Sequence, residues 1–170
     1  MVRIIFAIGN GITRAPMAAA IFNKMYAGID VECLCRGVVV AFPEPLNQKT
    51  EAVLIGNGIK WNDFTSTQLS AEDYEYDTYV FTMEERERKR IKGMIDEAND
   101  ENTFVLSDYI GDELEIMDPY GGPVQTYGLC FEVIKTSIKK LIDKLNEEGI
   151  IHGEAKDGVW NAEGAGSGIE

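Results

Sequence analysis

The amino-acid sequence predicts one α/β domain, a three-layer sandwich in which helices flank a four-stranded parallel sheet. Short apolar segments of strand length alternate along the chain with segments whose apolar residues recur at helical spacing. No repeat of the length used by solenoid proteins is present. The 170 residues, 45% of them hydrophobic, are enough for one core and too few for two. We therefore expect a single domain over residues 1–148, followed by a tail over residues 149–170.

The first predicted unit is a strand, a glycine loop and a helix. Residues 4–8 form an unbroken apolar run, which suits a strand buried on both faces of a parallel sheet. Gly9 and Gly11 end this run, and Pro16 stands where the first residue of a helix is expected. Apolar residues then recur at helical spacing until Gly28, so the first helix follows the loop directly.

The remaining predicted elements continue the alternation of strand and helix. The strands cover residues 31–40, 77–82 and 103–106, and the helices cover residues 48–55, 84–98 and 124–148. The last helix has the clearest signal, because its apolar residues recur at steps of three and four from Tyr127 to Leu145. The charged run 84–90 is expected to be a solvated helix face with opposite-charge pairs. From Gly153 onward the composition predicts a flexible tail.

The charge balance excludes several classes of partner. The chain has 16 basic and 29 acidic residues, a net charge of −13, which repels nucleic-acid phosphates and anionic membrane surfaces. No apolar run approaches the span of a bilayer, and the first residues lack the pattern of a signal peptide. We expect a cytoplasmic protein that binds neither nucleic acid nor membrane. An anionic ligand then needs a local cationic site.

The cysteines and the histidine exclude other chemistry. Cys33, Cys35 and Cys130 are an odd number without the spacing of a zinc site, and they do not suggest a disulfide scaffold. His152 is the only histidine, and this leaves a serine hydrolase without its usual base. We expect no metal and no cofactor.

The loop after the first strand predicts an anion site. Backbone N–H groups and the dipole of the following helix favour a negative charge there. Arg14 ends the loop, and its guanidinium has the geometry to bind two phosphate oxygens at once. The residues expected to cradle a phosphate are Gly9, Asn10, Gly11, Ile12, Thr13 and Arg14.

Three segments resemble the low-molecular-weight protein tyrosine phosphatases, and the resemblance spans residues 2–147. R-A-P-M-A from Arg14 is similar to the family's R-S-P-M-A, and Asp118-Pro-Tyr120 matches its Asp-Pro-Tyr before the last helix. Residues 76–83 are similar to its third strand. The resemblance implies the strand order 2-1-3-4 with the loop at the switch point. It implies that Arg14 binds phosphate and the transition state, Asp118 is the general acid and Tyr120 lines the cleft rim.

The same resemblance places Ile8 where the family has its nucleophilic cysteine. A shift of one residue would place Ala7 there, and neither residue has a thiol. Gly11 stands for the family's loop asparagine, and Ala15 stands for the serine that supports the thiolate. A phosphocysteine intermediate cannot form without the thiolate. A large apolar side chain in the cradle would also oppose a dianion.

Three functions stay open at this point. The pattern favours a catalytically impaired pseudophosphatase that binds a phosphorylated ligand or a protein partner. The first alternative is a weak phosphatase in which Asp118 guides water onto a phosphate held by Arg14 and the loop amides. The second is an interaction scaffold with an occluded cleft. Isoleucine at position 12 resembles relatives directed to phosphotyrosine rather than phosphoarginine.

Overall fold

The computed structural model describes residues 1–156 and 158–160, so the end of the predicted tail, residues 161–170, lies outside the described residues. Its helices and strands in chain order are β1 (Val2–Ala7), α1 (Arg14–Met25), β2 (Tyr26–Ala27), β3 (Val31–Arg36), α2 (Gln48–Gly56), a 3-10 turn (Ala71–Tyr74), β4 (Asp77–Thr82), α3 (Glu85–Met94), β5 (Thr103–Val105), α4 (Leu106–Tyr109), α5 (Val124–Glu147) and β6 (Glu154–Ala155). Within the described ranges, no helix is long and apolar enough to cross a bilayer.

Four strands form one parallel sheet in the order β3-β1-β4-β5. Val2 of β1 pairs with Val31 of β3 on one side and with Asp77 of β4 on the other. Val80 of β4 pairs with Thr103 of the edge strand β5. The four strands thus have the order 2-1-3-4 that the resemblance implies, and β1 is central.

Alternate residues of β1 pack against the two helical layers. Ile4 and Phe6 belong to the larger core cluster, together with apolar side chains of α1 and α5. Ile5 and Ala7 belong to a second cluster that contains Ile91 of α3. All four strand residues are fully buried, as an apolar run in a parallel sheet requires. The predicted three-layer sandwich with a parallel sheet is therefore confirmed.

The second strand of the sheet is shorter than the sequence predicts. The prediction covered residues 31–40, whereas β3 ends at Arg36. Beyond it the chain leaves the ladder, and the N–H groups of Val38 and Val39 donate to the carbonyl of Gly9 at 2.7 and 3.1 Å. The β-branched residues that suggested a longer strand therefore support the glycine loop.

The helix predicted over residues 84–98 is also shorter, because α3 ends at Met94. The backbone of Ile95 is extended, with φ −124° and ψ 115°. Ile95 and Ala98 are nevertheless buried in the same cluster as α3. Their apolar spacing reflects this burial, and it is not evidence of a continuous helix.

The packed chain continues past the domain boundary predicted at residue 148. β6 pairs antiparallel with β2, and Ile151 before it is fully buried. Further along, the Trp160 ring stands edge-on to Phe131 with centroids 5.6 Å apart. The flexible segment predicted from Gly153 is therefore wrong over β6. Its pairing partner, the two-residue strand β2 directly after α1, is too short to leave a sequence signal.

Candidate phosphate-binding site

The loop between β1 and α1 lies at the carboxyl end of the central strand, at the switch point of the strand order. Gly9 and Gly11 have φ values of +53° and +80°, in the left-handed region that favours glycine. A Cβ on Gly11 would lie 2.9 Å from the backbone nitrogen of Gly37. The N–H of Asn47 donates to the carbonyl of Ile12 at 3.1 Å. Neighbouring segments therefore hold the loop at both ends.

Ile8 begins the loop and contributes its side chain to the core. It is 3% exposed and belongs to the larger core cluster. Its N–H donates to the carbonyl of Arg36 at 3.2 Å, and its carbonyl accepts the N–H of Gly11 at 2.9 Å. This hydrogen bond uses the Gly11 N–H inside the loop. Neither the Ile8 side chain nor that of the buried Ala7 has an atom able to attack phosphorus.

A carboxylate of the chain itself binds the loop. The N–H of Gly9 donates to Oε2 of Glu87 at 2.6 Å, and the hydroxyl of Thr82 donates to Oε1 at 3.0 Å. Glu87 lies in the first turn of α3, which follows the carboxyl end of β4. The loop therefore holds a negative group in this structure, as its amide and dipole would favour.

Other N–H groups of the loop have no partner among the described residues. In the part of the chain that the structure describes, the backbone N–H groups of residues 12–14 have no hydrogen-bond acceptor. Thr13 occupies the N-cap position of α1, and its hydroxyl makes no capping hydrogen bond. The Asn10 side-chain amide donates to Oε2 of Glu44 at 3.3 Å. Residues 12–14 thus offer unpaired donors at a helix N-terminus.

Arg14 is buried, with 4% exposure, and is held from three directions. Its Nη1 donates to the carbonyl of Ile116 at 2.6 Å. Its Nη2 lies 3.4 Å from Oε1 of Glu84 and 3.9 Å from Oδ2 of Asp118. A buried guanidinium needs such partners to offset its desolvation. The two residues that the sequence predicted as a functional pair, Arg14 and Asp118, are thus adjacent.

Asp118 and Tyr120 lie in a turn before α5. The Asp118 side chain is 52% exposed, and its Oδ1 accepts the N–H of Tyr120 at 3.0 Å. Gly122 closes the turn by donating to the carbonyl of Pro119 at 2.9 Å. The Tyr120 ring is 83% exposed. Asp118 therefore combines contact with Arg14 and access to water, and Tyr120 stands clear of the core at the outer side of the turn.

Cys130 is close enough to Arg14 and Asp118 for both charges to act on its thiol. Its Sγ lies 3.8 Å from the carbonyl of Met117. Burial is the main cause that raises the pKa of Cys130 to about 11, with a smaller lowering by Arg14 and a smaller raising by Asp118. Burial also raises the pKa of Cys35 to about 12 and that of Cys33 well above its ordinary value. All three thiols are protonated at neutral pH, so none supplies the missing thiolate.

A large cavity is lined in part by Asp118 and is separate from the loop. It has a volume of about 690 Å³ and lies between residues 112–119 and α5. Its walls are mainly apolar and include the exposed side chains of Met117 and Leu129. Neither Arg14 nor the loop from Ile8 to Thr13 lines it.

Sequence reasoning missed two carboxylates and one carbonyl of this site. Glu84 and Glu87 follow the end of β4, and side chains at the carboxyl ends of neighbouring strands meet at one sheet edge. That rule could have found them, but the charged run around them suggested only a solvated face. The carbonyl of Ile116 has no sequence signal, because any residue supplies one.

No group of three or more histidine, cysteine, aspartate or glutamate side chains suited to a metal ion occurs within residues 1–156 and 158–160. The functional groups of the candidate site are instead one buried guanidinium, backbone N–H groups without acceptors, and an adjacent carboxylate. A parallel sheet in this strand order, with an arginine-ended glycine loop at its switch point, defines a phosphatase-like α/β protein.

Comparison with known proteins identifies the family. The model of the low molecular weight phosphotyrosine protein phosphatase family matches residues 3–150. The chain belongs to this family, and membership implies binding of phosphorylated substrates.

Relatives of two named activities are similar over nearly their whole length. A protein-arginine-phosphatase of Geobacillus stearothermophilus is 32% identical over 148 residues, which cover 86% of this chain and 97% of the relative. The low molecular weight protein-tyrosine-phosphatase PtpB of Staphylococcus haemolyticus is 25% identical over 139 residues, or 82% and 96% of the two chains.

Solved structures agree with the fold. The YwlE arginine phosphatase from Geobacillus stearothermophilus has a TM-score of 0.78 at 32% identity, covering 88% of this chain and 96% of that one. The low molecular weight protein tyrosine phosphatase from T. tengcongensis has a TM-score of 0.77 at 28% identity, and the match covers 85% of this chain and 100% of that one.

Proposed function

We propose that this protein is a pseudophosphatase of its family, which binds a phosphorylated ligand without a covalent thiolate step. One observation carries the proposal. Arg14 stays buried at the end of the phosphate loop, 3.9 Å from Asp118, while position 8 is an isoleucine. The groups that we assign to phosphate binding are therefore present, whereas position 8 has no atom that could attack phosphorus.

The absence of a nucleophile is supported by the surroundings of each candidate. Ile8 is a hydrocarbon in the core, and burial keeps the Cys130 thiol protonated. Within residues 1–156 and 158–160, the Thr13 hydroxyl makes no capping hydrogen bond, and a hydroxyl needs a base to remove its proton before it can attack phosphorus. Removing one member of a cooperating catalytic unit forfeits most of the rate acceleration of that unit.

Phosphate binding is supported by donors that do not depend on a thiol. The N–H groups of residues 12–14 and the dipole of α1 favour an anion, and Arg14 supplies the positive charge. The carboxylate of Glu87 opposes this binding, because it holds the Gly9 N–H and repels a dianion. We therefore expect weaker phosphate binding than in a loop without this carboxylate.

A weakly active phosphatase is the second candidate, and Asp118 favours it. This carboxylate is half-exposed beside Arg14, where it could accept a proton from a water that attacks a bound phosphate. Binding and electrostatics alone give about 10³-fold over water in favourable cases. Because relatives are named for phosphoarginine and phosphotyrosine hydrolysis, and Ile12 resembles the tyrosine-directed type, both compounds belong in the test.

Phosphorus NMR of phosphotyrosine and of phosphoarginine with stoichiometric protein separates these functions. A shifted or broadened signal without free phosphate supports the pseudophosphatase. Free phosphate that appears with the wild type and not with Asp118→Asn supports the weak enzyme. Unchanged spectra for both compounds contradict both and leave the scaffold with an occluded cleft.

Variants of Arg14 test whether this residue holds the ligand. Arg14→Lys keeps the charge and loses the paired donors, so it should weaken any spectral change while the protein stays folded. Arg14→Ala removes the charge as well, and its folding is checked by circular dichroism. A spectral change that is the same in wild type and Arg14→Lys would show binding elsewhere.

A further inference from the structure

The cationic residues of this acidic protein are concentrated on one helix. The ten residues of α3 include five of the 16 lysines and arginines of the chain, although its net charge is −13. The sequence pattern alone predicts that such a run is paired with neighbouring carboxylates. The structure shows that this holds for only part of the helix.

Three cations of α3 are neutralised by carboxylates. Arg88 lies 2.7 Å from Asp100, which also binds Lys92. Arg86 lies 2.7 Å from Oε2 of Glu84. These contacts match the prediction of opposite-charge pairs on a solvated helix face.

Lys89 and Arg90 are different. Both are exposed, and within the described ranges neither has a carboxylate oxygen within 4.0 Å. In a chain with an excess of 13 negative charges, two adjacent unpaired cations leave a local positive region. They are thus free to bind an anion from outside.

These cations line a cavity that shares a wall with the phosphate loop. The cavity has a volume of about 610 Å³. Its lining consists of Gly9, Asn10, Val38, Val39, Arg86, Glu87, Lys89 and Arg90. Among these described lining residues Glu87 is the only carboxylate, while Arg86 is paired with Glu84, and Lys89 and Arg90 are two cations against the one charge of Glu87. The cavity is therefore cationic on balance.

We propose that this cavity binds acidic residues that flank the phosphorylated residue of a peptide or protein ligand. This inference rests on the proposed function and names the ligand class, an acidic phosphopeptide. Gly9 and Asn10 belong both to the phosphate loop and to the cavity wall, so the cavity begins where the phosphate loop begins. Residues next to a phosphorylated residue bound at the loop therefore have this cavity beside them.

The size and chemistry of the cavity suit a peptide better than one free phosphate. A volume of about 610 Å³ is in the range of sites that hold several groups. Val39, which is 46% exposed, offers an apolar wall for the carbon stems of glutamate side chains. Long, exposed cationic side chains can adapt to carboxylates at more than one position.

The test uses fluorescence anisotropy with labelled phosphotyrosine peptides that differ only in having glutamate or glutamine next to the phosphotyrosine. The wild type should bind the glutamate peptide about three- to tenfold more tightly, the size expected for two exposed ion pairs. The Lys89→Gln, Arg90→Gln double variant should lose the preference for the glutamate peptide. Its Kd for the glutamine peptide should equal that of the wild type.

A second double variant controls for net charge. Lys60→Gln with Lys156→Gln removes the same two charges from exposed residues that do not line the cavity, and it should keep the preference for glutamate. An equal loss in both double variants, or an unchanged preference without Lys89 and Arg90, would overturn the proposal.

Failure of this inference is distinguishable from failure of the proposed function. The unphosphorylated glutamate peptide is titrated in parallel at low salt. If phosphorylation adds no affinity while this peptide still binds in a Lys89- and Arg90-dependent manner, the acidic-ligand cavity stands and the phosphate loop is occluded. If phosphorylation adds affinity and glutamate adds none, the cavity proposal is wrong and the phosphate site stands. If neither adds affinity, both proposals are wrong.

Discussion

Replacement of Ile8 by alanine tests the position on which the proposed loss of catalysis depends. The side chain is 3% exposed and belongs to the larger core cluster, together with residues of α1 and α5. If it serves the core, its truncation leaves a cavity and destabilises the fold. If it stood in an open phosphate cradle, truncation would cost little and would make room for an anion.

The expected loss follows from the atoms removed. Alanine lacks three carbons of isoleucine, and about 0.8 kcal/mol for each buried carbon gives about 2.4 kcal/mol. The cavity that remains adds to this loss, so we expect about 3 kcal/mol, within the usual range for such changes. For a chain of 170 residues the Tm should fall by about 6–12 °C.

Urea unfolding followed by circular dichroism measures the loss, and thermal unfolding gives the Tm. Ile29→Ala is the matched control, because Ile29 is 95% exposed and its truncation should change stability by less than about 0.5 kcal/mol. A loss below about 1 kcal/mol for Ile8→Ala, with a larger stabilisation by inorganic phosphate, would refute the assignment of this side chain to the core.

Three further predictions concern the charged groups. Arg14→Ala should lower the free energy of unfolding, measured with urea, by about 3 kcal/mol or more, because it leaves the Glu84 carboxylate without its buried partner. A loss below about 1 kcal/mol would contradict this prediction. Glu87→Gln should increase the Tm shift caused by inorganic phosphate, since a competing carboxylate is removed, and an unchanged shift would exclude competition. The hydrogen bond from Tyr26 lowers the pKa of Asp30, so its stabilisation is present above about pH 4 and lost below it. The free energy of unfolding of Asp30→Asn, measured with urea, should fall less steeply with acidification than that of the wild type. An equal slope in the two proteins would refute the linkage.

Local patterns were sufficient for the order of the four strands of the main sheet and of the helices α1, α2, α3 and α5. They also located the candidate site. The apolar run before Gly9 predicted the central strand, and the steps of three and four after Val124 predicted α5, because burial on a sheet or a helix face imposes a period on neighbouring residues. Arg14 after a glycine loop predicted an anion site, since a helix N-terminus follows the loop in sequence.

Contacts between distant segments could not be predicted in this way. The early end of β3 depends on hydrogen bonds from Val38 and Val39 to the Gly9 loop. The pairing of β6 with β2 joins segments of two residues each, which are too short for a periodic pattern. In both cases a backbone group supplies the contact, and backbone groups are the same in every residue apart from proline.

The sequence by itself determined the class of fold, the loop with Arg14 and the lack of a thiol at its start, because each depends on residue types close together in the chain. Only the tertiary structure decided what surrounds them. It brought the carbonyl of Ile116 to Arg14 across 102 residues, and the carboxylate of Glu87 to Gly9 across 78 residues. The tertiary structure also determined which cations of α3 are paired with carboxylates and which are not. Charge pairing depends on distances between side chains, and positions in the sequence do not specify these distances.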